Sequence, residues 1–389
     1  NRMSLQLDTL KLDTISTIEG KTYDANQLVH EIQELSDQIY KLSTKDLSAN
    51  DLMDRRGLMI EKLSAIVNVN VDYDEFSRVK ITEADTGSNR VLLGFNTQEP
   101  VTNEMSTIRG VTDLGAGVQE ITVVRGGDIS KTYTFTVSGK GLSDGDIVYA
   151  DPAEWEAYDA GGTPPPPDPV LTKAHLREGE LAGNKAAIEK IDEYHTELDQ
   201  LAFTIAESVN LVHGGGANNI DFFTTSDGGA TINAANIQVN TNILDDVNLI
   251  NKGVDGTSGD GDASRAWAVA QLREVSLQLD HSNFETYLTA RYDAGTMEVT
   301  PDPSGTSFQG YYKDVILKIG IDSKQAEDGV ESQTTLLLQL GERRESISGV
   351  SIDEEVANLV QFQNSYQANA RVITTLTEML DTLINRMGL

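Results

Sequence analysis

The first sustained pattern in the chain is helical. From Asp24 onward, Leu28, Ile32, Leu35, Ile39 and Leu42 recur at spacings of four and three, one apolar stripe on a helix of 3.6 residues per turn. After a polar break at Ser43 to Asn50, the stretch NDLMDRRGLMIEKLSAIV predicts a second helix. Asn50 or Asp51 would cap it, and Leu52, Met59, Leu63 and Ile66 mark its buried side. The short connection predicts an antiparallel helical hairpin. At Val67 the period drops to two, through Val67, Val69 and Val71, and strand signals continue in VKI, VLLGF, VQEITVV and KTYTFTV to about Ala150. QEITVV and TYTFTV flank RGGDISK, whose Gly126-Gly127-Asp128 is turn material, so a hairpin is expected there.

Gly161-Gly162 and Pro164 to Pro167 can continue neither helix nor sheet and predict an extended connector at a domain boundary. A proline-rich recognition peptide is the other reading of that run, but a linker needs no partner to explain it. Helical spacing returns at about Gly183 and holds through Ile188, Ile191, His195, Leu198, Ala202, Ile205, Val209 and Val212. Residues 214–262 are rich in Gly, Asn, Asp and Thr, which predicts an irregular or small β excursion. Helix is expected again in SRAWAVAQLREVSLQL and, after a break at Pro301 to Gly310, from Tyr311 to about Glu345. There Val315, Ile319, Ala326, Val330, Leu337, Leu340 and Ile347 fall on or near one face.

The closing stretch has the most regular pattern. Ser351 with Glu354 three residues on forms a capping box. Ile352, Val356, Leu359, Gln363, Tyr366, Ala370, Ile373, Thr377, Leu380, Ile384 and Met387 then alternate spacings of four and three, the seam of a coiled coil. Gln363 and Thr377 interrupt the seam, as register-setting polar positions do. Val360, Leu376 and Leu383 lie off it and imply a second covered surface. A helix with this much apolar surface is marginal alone in water, so it is expected to find another helix. The fold expected is α+β and multidomain, a long-helix bundle with a β-rich module and a C-terminal coiled-coil-type helix. Its divisions are a helical part at 1–66, the β-rich module at 67–150 and a linker at 151–170. A second helical part follows at 171–349 with its excursion at 214–262, and a polymerisation helix at 350–389. The assembly contacts expected are Val356, Leu359, Tyr366, Ala370, Ile373, Leu380 and Ile384.

Charge and composition narrow the partners. With 61 acidic against 30 basic residues, the formal charge of −31 repels phosphate backbones and anionic headgroups, so nucleic acid is not expected as a partner. The acidity is dispersed, as on a solvated surface. Absence of cysteine removes disulfides, thiolate metal sites and cysteine nucleophiles. No apolar run reaches the ~18 residues of a membrane span, and the opening NRMSLQLDTLKL lacks the apolar block of a signal peptide, so a soluble chain is expected.

Candidate chemistry is sparse. His30, His175, His195, His213 and His281 are scattered without metal-ligand spacing, and His195, on the helical stripe, fits a core histidine. DGTSGDGDAS from Asp255 clusters carboxylates with glycines but lacks the ordered positions of a calcium loop. His213-Gly214-Gly215-Gly216 follows a helix rather than a strand, the wrong order for a phosphate loop, and fits a helix stop. The pairs Asp144/Asp146 and Asp72/Asp74 could flank a glycosidic bond only in principle, since such pairs arise by chance in so acidic a chain. No enzyme, cofactor or metal is expected.

SISGVSIDEEVANLVQFQNSYQANARVITTLTEMLDTLI resembles the C-terminal segment shared by axial proteins of the bacterial flagellum, and most of all the hook-associated FlgK family. The likeness runs through Gly349, Asp353-Glu354-Glu355, Asn358-Leu359, Gln363, Tyr366, Gln367-Ala368-Asn369-Ala370 and Val372-Ile373. NDLMDRRGLMIEKLSAIVNV resembles that family's helix with its Asp-Arg-Arg pattern. GELAGNKAAIEKI, LDQLAFTIAESVNLVHGGG and DFF resemble its long central helix and the loop after it. The resemblance implies a structural subunit that joins hook to filament, with a flagellin-like helical core, terminal helices paired in an inner tube and β structure outside. It also implies export through the flagellar apparatus without a cleaved signal, to the extracellular flagellum. The partners it implies are further copies, the hook protein, a second junction protein and an export chaperone. Asn1 to Gly20 do not match the family's amino-terminal helix, so the closing helix is expected to lack its natural partner and to be mobile or held by a neighbouring chain from about residue 352. The alternatives are another axial protein of hook or flagellin type, or a surface adhesion module whose β region around 67–150 contacts a ligand.

Overall fold

The computed structural model describes residues 2–45, 49–84, 90–95, 101, 103–139, 141–161, 167–215, 219–229, 231–254, 261–349 and 352–386, the side chains of 348 and 382–386 excepted. Two compact units divide it, Asn1–Val315 and Ile316–Leu389.

The first unit is organised on α1 (Arg2–Ser43), which packs against α2 (Asn50–Ile66) and, later in the chain, α4 (Glu180–Gly214). Ile32, Leu35 and Ile39 are buried as their spacing predicted, with Leu28 and Leu42 half-buried beside them. The helix starts far earlier than the expected Asp24, because its buried face continues back through Ala25, Thr22, Glu19, Ile18 and Ile15. Glu19 and Thr22 hid that continuity. Both are polar and both are buried against strand residues: Thr107 Oγ1 donates to Thr22 Oγ1 at 3.0 Å, and the Arg109 guanidinium meets Glu19 at 3.0 Å. Burial lifts the Glu19 carboxyl above its ordinary value against the pull of Arg109. On α2, Met59, Leu63 and Ile66 are buried, but Ala49 takes the cap position and Asn50 and Asp51 fall in the first turn. There the Asp51 charge still suits the helix N-terminus.

Two antiparallel sheets follow. β1 (Val69–Tyr73), β2 (Val79–Glu83) and β3 (Val91–Leu93) form one, in that order. The other runs β6-β5-β4-β7-β8 and is built from β4 (Glu104–Gly115), β5 (Val118–Val124), β6 (Thr132–Ser138), β7 (Ile147–Ala150) and β8 (Thr172–Lys173). Ala116 and Gly117, both at positive φ, make the two-residue turn from β4 to β5, the conformation a tight hairpin needs. The expected hairpin across RGGDISK is β5 paired with β6. Its Gly127 has φ +74° and touches α1 so closely that a Cβ would lie 2.2 Å from the Glu19 carbonyl oxygen. Gly is required there twice over. β7 separates two cores by strict alternation: Ile147 and Tyr149 join the cluster around α1, while Val148 and Ala150 face the opposite cluster.

That opposite cluster contains an element the sequence did not suggest. Within the stretch expected to be an extended linker, α3 (Pro152–Ala160) forms under an Asp151 cap that accepts from the Ala153 amide, with proline in the first turn. Trp155 is wholly buried on the sheet among Tyr133, Phe135 and Tyr158. Tyr133 donates to Asp159 at 2.6 Å, and burial together with that bond pushes its hydroxyl up to about 12. Of the proline run itself, 162–166 lie outside the described residues.

α4 buries Ile188, Ile191 and Leu198 as expected and stops at Gly214. The irregular excursion contains β9 (Phe223–Thr225) paired with β10 (Ile237–Val239), then α5 (Thr241–Asp245). The helix expected throughout SRAWAVAQLREVSLQL is only α6 (Ser264–Gln271). It tightens to a 3-10 turn at Leu272–Glu274 and becomes extended at Val275. Leu277 and Leu279 are then buried off that turn, so tertiary burial overrides the local helical preference. α7 (Phe284–Arg291) and a hairpin of β11 (Tyr292–Asp293) and β12 (Glu298–Val299) complete a third core with the C-terminal half of α4. α8 (Phe308–Ser348) begins in this unit, where Val315 is buried.

The second unit consists of the rest of α8 and of α9 (Ile352–Arg386). From Ser323 to Ile347 every side chain of α8 is exposed, including Leu336, Leu337, Leu338 and Leu340.

Candidate assembly interface

α9 is helical where the heptad spacing placed it, at 1.5 Å per residue about 50 Å long. Asp353, Glu354 and Glu355 occupy its first turn, where carboxylates complement the helix dipole. Ser351, the expected cap, lies outside the described residues. Val356, Leu359, Tyr366, Ala370, Ile373 and Leu380 fall in one continuous helix at the spacing of a single seam, and all are exposed, from 55% for Val356 to 76% for Tyr366 among the large ones. Ile384 is within the helix, but its side chain is not among those described.

The polar seam residue Thr377 is already satisfied. Its Oγ1 donates to the Ile373 carbonyl at 2.9 Å, so a partner could cover it without stranding a donor. Ser365, Thr374 and Thr375 fold back on the helix in the same way. A second ridge of Val372, Leu376 and Met379 is exposed around the helix from the seam. Sequence reasoning marked Leu376 alone of these three; their own four-three spacing was the available signal. If Val356, Leu359, Ile373 and Leu380 gain ~1.5 to 3 kcal/mol each on burial, the gross return is on the order of 10 kcal/mol, set against an association cost of similar size.

The residues that could have signalled chemistry are committed to structure. Asp144 accepts the Val111 amide at 2.8 Å and pairs with Lys11 at 2.7 Å. Asp146 is buried between Lys173 and Lys185 at 2.6 and 3.1 Å. Asp74 pairs with Arg78, and Asp72 sits opposite Lys80 across β1 and β2. His195 is half-buried, its Nε2 3.2 Å from Asp8. His213 is the buried histidine: Nδ1 lies 2.7 Å from the Ile220 carbonyl and Nε2 accepts the Asn251 amide at 3.0 Å, which fixes one tautomer. Beside it the buried Arg265 guanidinium donates to the carbonyls of Val212, Gly215, Gly253 and Val254, closing the C-terminal end of α4. No cluster of three potential metal ligands occurs among the described residues, and 255–260 of the Gly-Asp loop lie outside them. No helix among the described residues is long and apolar enough to cross a membrane.

Known proteins match at both ends of the chain and along its length. The family model of the flagellar hook-associated protein FlgK helical domain matches residues 1–144, and that of the flagellar basal body rod FlgEFG protein C-terminal matches residues 344–387. The flagellar hook-associated protein 1 of Bacillus subtilis (strain 168) is 25% identical over 393 residues, covering 100% of this chain and 69% of that relative. The chain is similar to the FlgK family of flagellar hook-associated proteins. The relatives named flagellar hook-associated protein 1 in Escherichia coli (strain K12) and Salmonella typhimurium (strain LT2) are 38% and 32% identical over 79 residues. In each case this is 20% of the chain and 14% of the relative. The FlgK helical-domain match includes the opening twenty residues, of which Arg2 to Gly20 lie in α1. The C-terminal match contains all of α9.

Proposed function

We propose that this chain is a structural subunit of the bacterial flagellum that joins hook to filament, and that α9 is the element through which it polymerises. The observation that carries this reading is the exposed ridge of α9, in a chain whose first unit closes three apolar cores. Neighbouring helices in a tube would cover the ridge from more than one side, which suits a helix with apolar residues on and off its seam. The partners in this reading are further copies, the hook protein and a second junction protein, with a chaperone holding the apolar helix before export to the cell exterior. The helical parts 1–66 and 171–349 serve as one core domain, with 67–150 as a β-rich module to which α3 of the 151–170 stretch adds, and 350–389 as the polymerising segment. No step requires catalysis. Replacing Ile373 and Leu380 together by Asp places two charges in the seam and should abolish incorporation into the flagellum while leaving the first unit folded. Normal motility in that double variant defeats the proposal.

A further inference from the structure

Two apolar ridges of this chain are uncovered, and neither covers the other. Every side chain of α8 from Ser323 to Ile347 is exposed, and so is every one of α9 from Ile352 to Asp381. On α8, Ala326, Val330, Gln333, Leu337 and Leu340 alternate spacings of four and three, the same heptad rule as the seam of α9. Each seam is interrupted by a glutamine, Gln333 on α8 and Gln363 on α9. Gln333 stands three residues after Val330 and four before Leu337, whereas Gln363 stands four after Leu359 and three before Tyr366. The two glutamines therefore occupy the two unlike core positions of the heptad. Antiparallel helices pair unlike core positions in one layer, and parallel helices pair like ones. Only an antiparallel arrangement sets the two amides against each other, where each can both donate and accept. That alignment places Leu337 against Leu359, Leu340 against Val356 and Val330 against Tyr366, with Leu336 beside Phe362 on the flank. A shift of one heptad sets Gln363 against Leu340 or Ala326 and strands the amide.

We propose that the distal half of α8 receives α9 of a neighbouring copy, antiparallel, with Gln333 and Gln363 in one layer. The inference rests on the polymerising role given to α9 and names the surface that α9 meets. Its occupant is the α9 of another copy because the midpoint between Gln333 and Gln363 is residue 348, the last of α8. A chain folding back on itself reaches this register only by unwinding the end of α8, whereas a second copy reaches it with both helices intact. The same register puts Arg343 of one copy beside Glu355 of the other, and no flanking pair sets like charges together. Such matching is needed between chains of net charge −31. The giving and receiving ridges are different surfaces, so the contact is heterologous and adds copies head to tail without closing at a dimer. An axial polymer grows in that way.

The chain has no cysteine, so introduced thiols report without background. The test places Leu337→Cys in one tagged copy and Leu359→Cys in another, builds flagella from both and treats them with a short bismaleimide. A product joining the two tags is expected, about fivefold or more above that from Leu337→Cys with Tyr366→Cys, which the register separates by one heptad. Arg343→Glu should lower incorporation about fivefold, and Glu355→Arg added in the same chain should restore it. Copies that incorporate without yielding the cross-tag product overturn the contact and leave the polymerising role of α9 standing. Equal product from the Tyr366→Cys pairing, or no rescue by Glu355→Arg, overturns the contact as well. Absence of the parent chain from flagella refutes the polymerising role itself, and this contact with it.

Discussion

Asp302 shows how a single carboxylate holds a segment together. It accepts from the amide and hydroxyl of Ser304 at 3.0 and 2.8 Å, from the Tyr287 hydroxyl at 3.0 Å and from Arg291 at 2.6 Å. The Ser304 amide first, then these other donors, hold its carboxyl below the ordinary carboxylate value of 3.8. A lowered native pKa means stability that is complete above the unfolded value and is lost as pH falls through the native one. The thermal midpoint of the first unit should therefore drop below about pH 4, and Asp302→Asn should remove that portion of the drop while lowering stability at neutral pH. Glycine offers a second residue-scale comparison. Gly117→Ala, at φ +75° with open space around it, should cost about 1–2 kcal/mol for the left-handed backbone alone. Gly127→Ala adds a collision with α1 and should cost clearly more in urea unfolding.

At the scale of elements, what could be read from the sequence depended on whether an apolar period ran uninterrupted. α2, most of α4, α8 and α9 kept theirs and were located to within a few residues. The first half of α1 was missed because Glu19 and Thr22 occupy core positions as polar residues whose partners, Arg109 and Thr107, are some ninety residues away. α3 was missed because a run of prolines nearby dominated the local signal, although Asp151-Pro152 is a helix start in its own right. The end of α4 was foreseen from His213-Gly214-Gly215, whereas its cap was not: nothing local announces that Arg265, fifty residues on, will satisfy those carbonyls. Arg265→Met should leave several buried carbonyls unpaired and lower stability by roughly 2–3 kcal/mol or more, with hydrogen exchange accelerating first at residues 250–275. Of the interface expected on α9, the spacing and the exposure were legible. The second ridge was marked only at Leu376, although the spacing of Val372 and Met379 continues it, and the exposure of Leu336, Leu337, Leu338 and Leu340 on α8 emerged only with the fold.

At the scale of the whole chain, two kinds of surface contrast. The first unit closes three apolar cores from within, with Asp144, Asp146, His213 and Arg265 all spent on internal bonds. α9 leaves its apolar seam in solvent. That contrast suits the polymerising role proposed for α9, because a helix that covered its own seam would have nothing left to offer a neighbour. The most direct test is hydrogen exchange across residues 352–386, measured on the dilute chain and again on the same chain built into flagella. Amides that exchange rapidly in the dilute chain and become strongly protected on incorporation are expected. Protection already present in the dilute monomer, or none gained in the flagellum, would contradict the polymerising role proposed for α9.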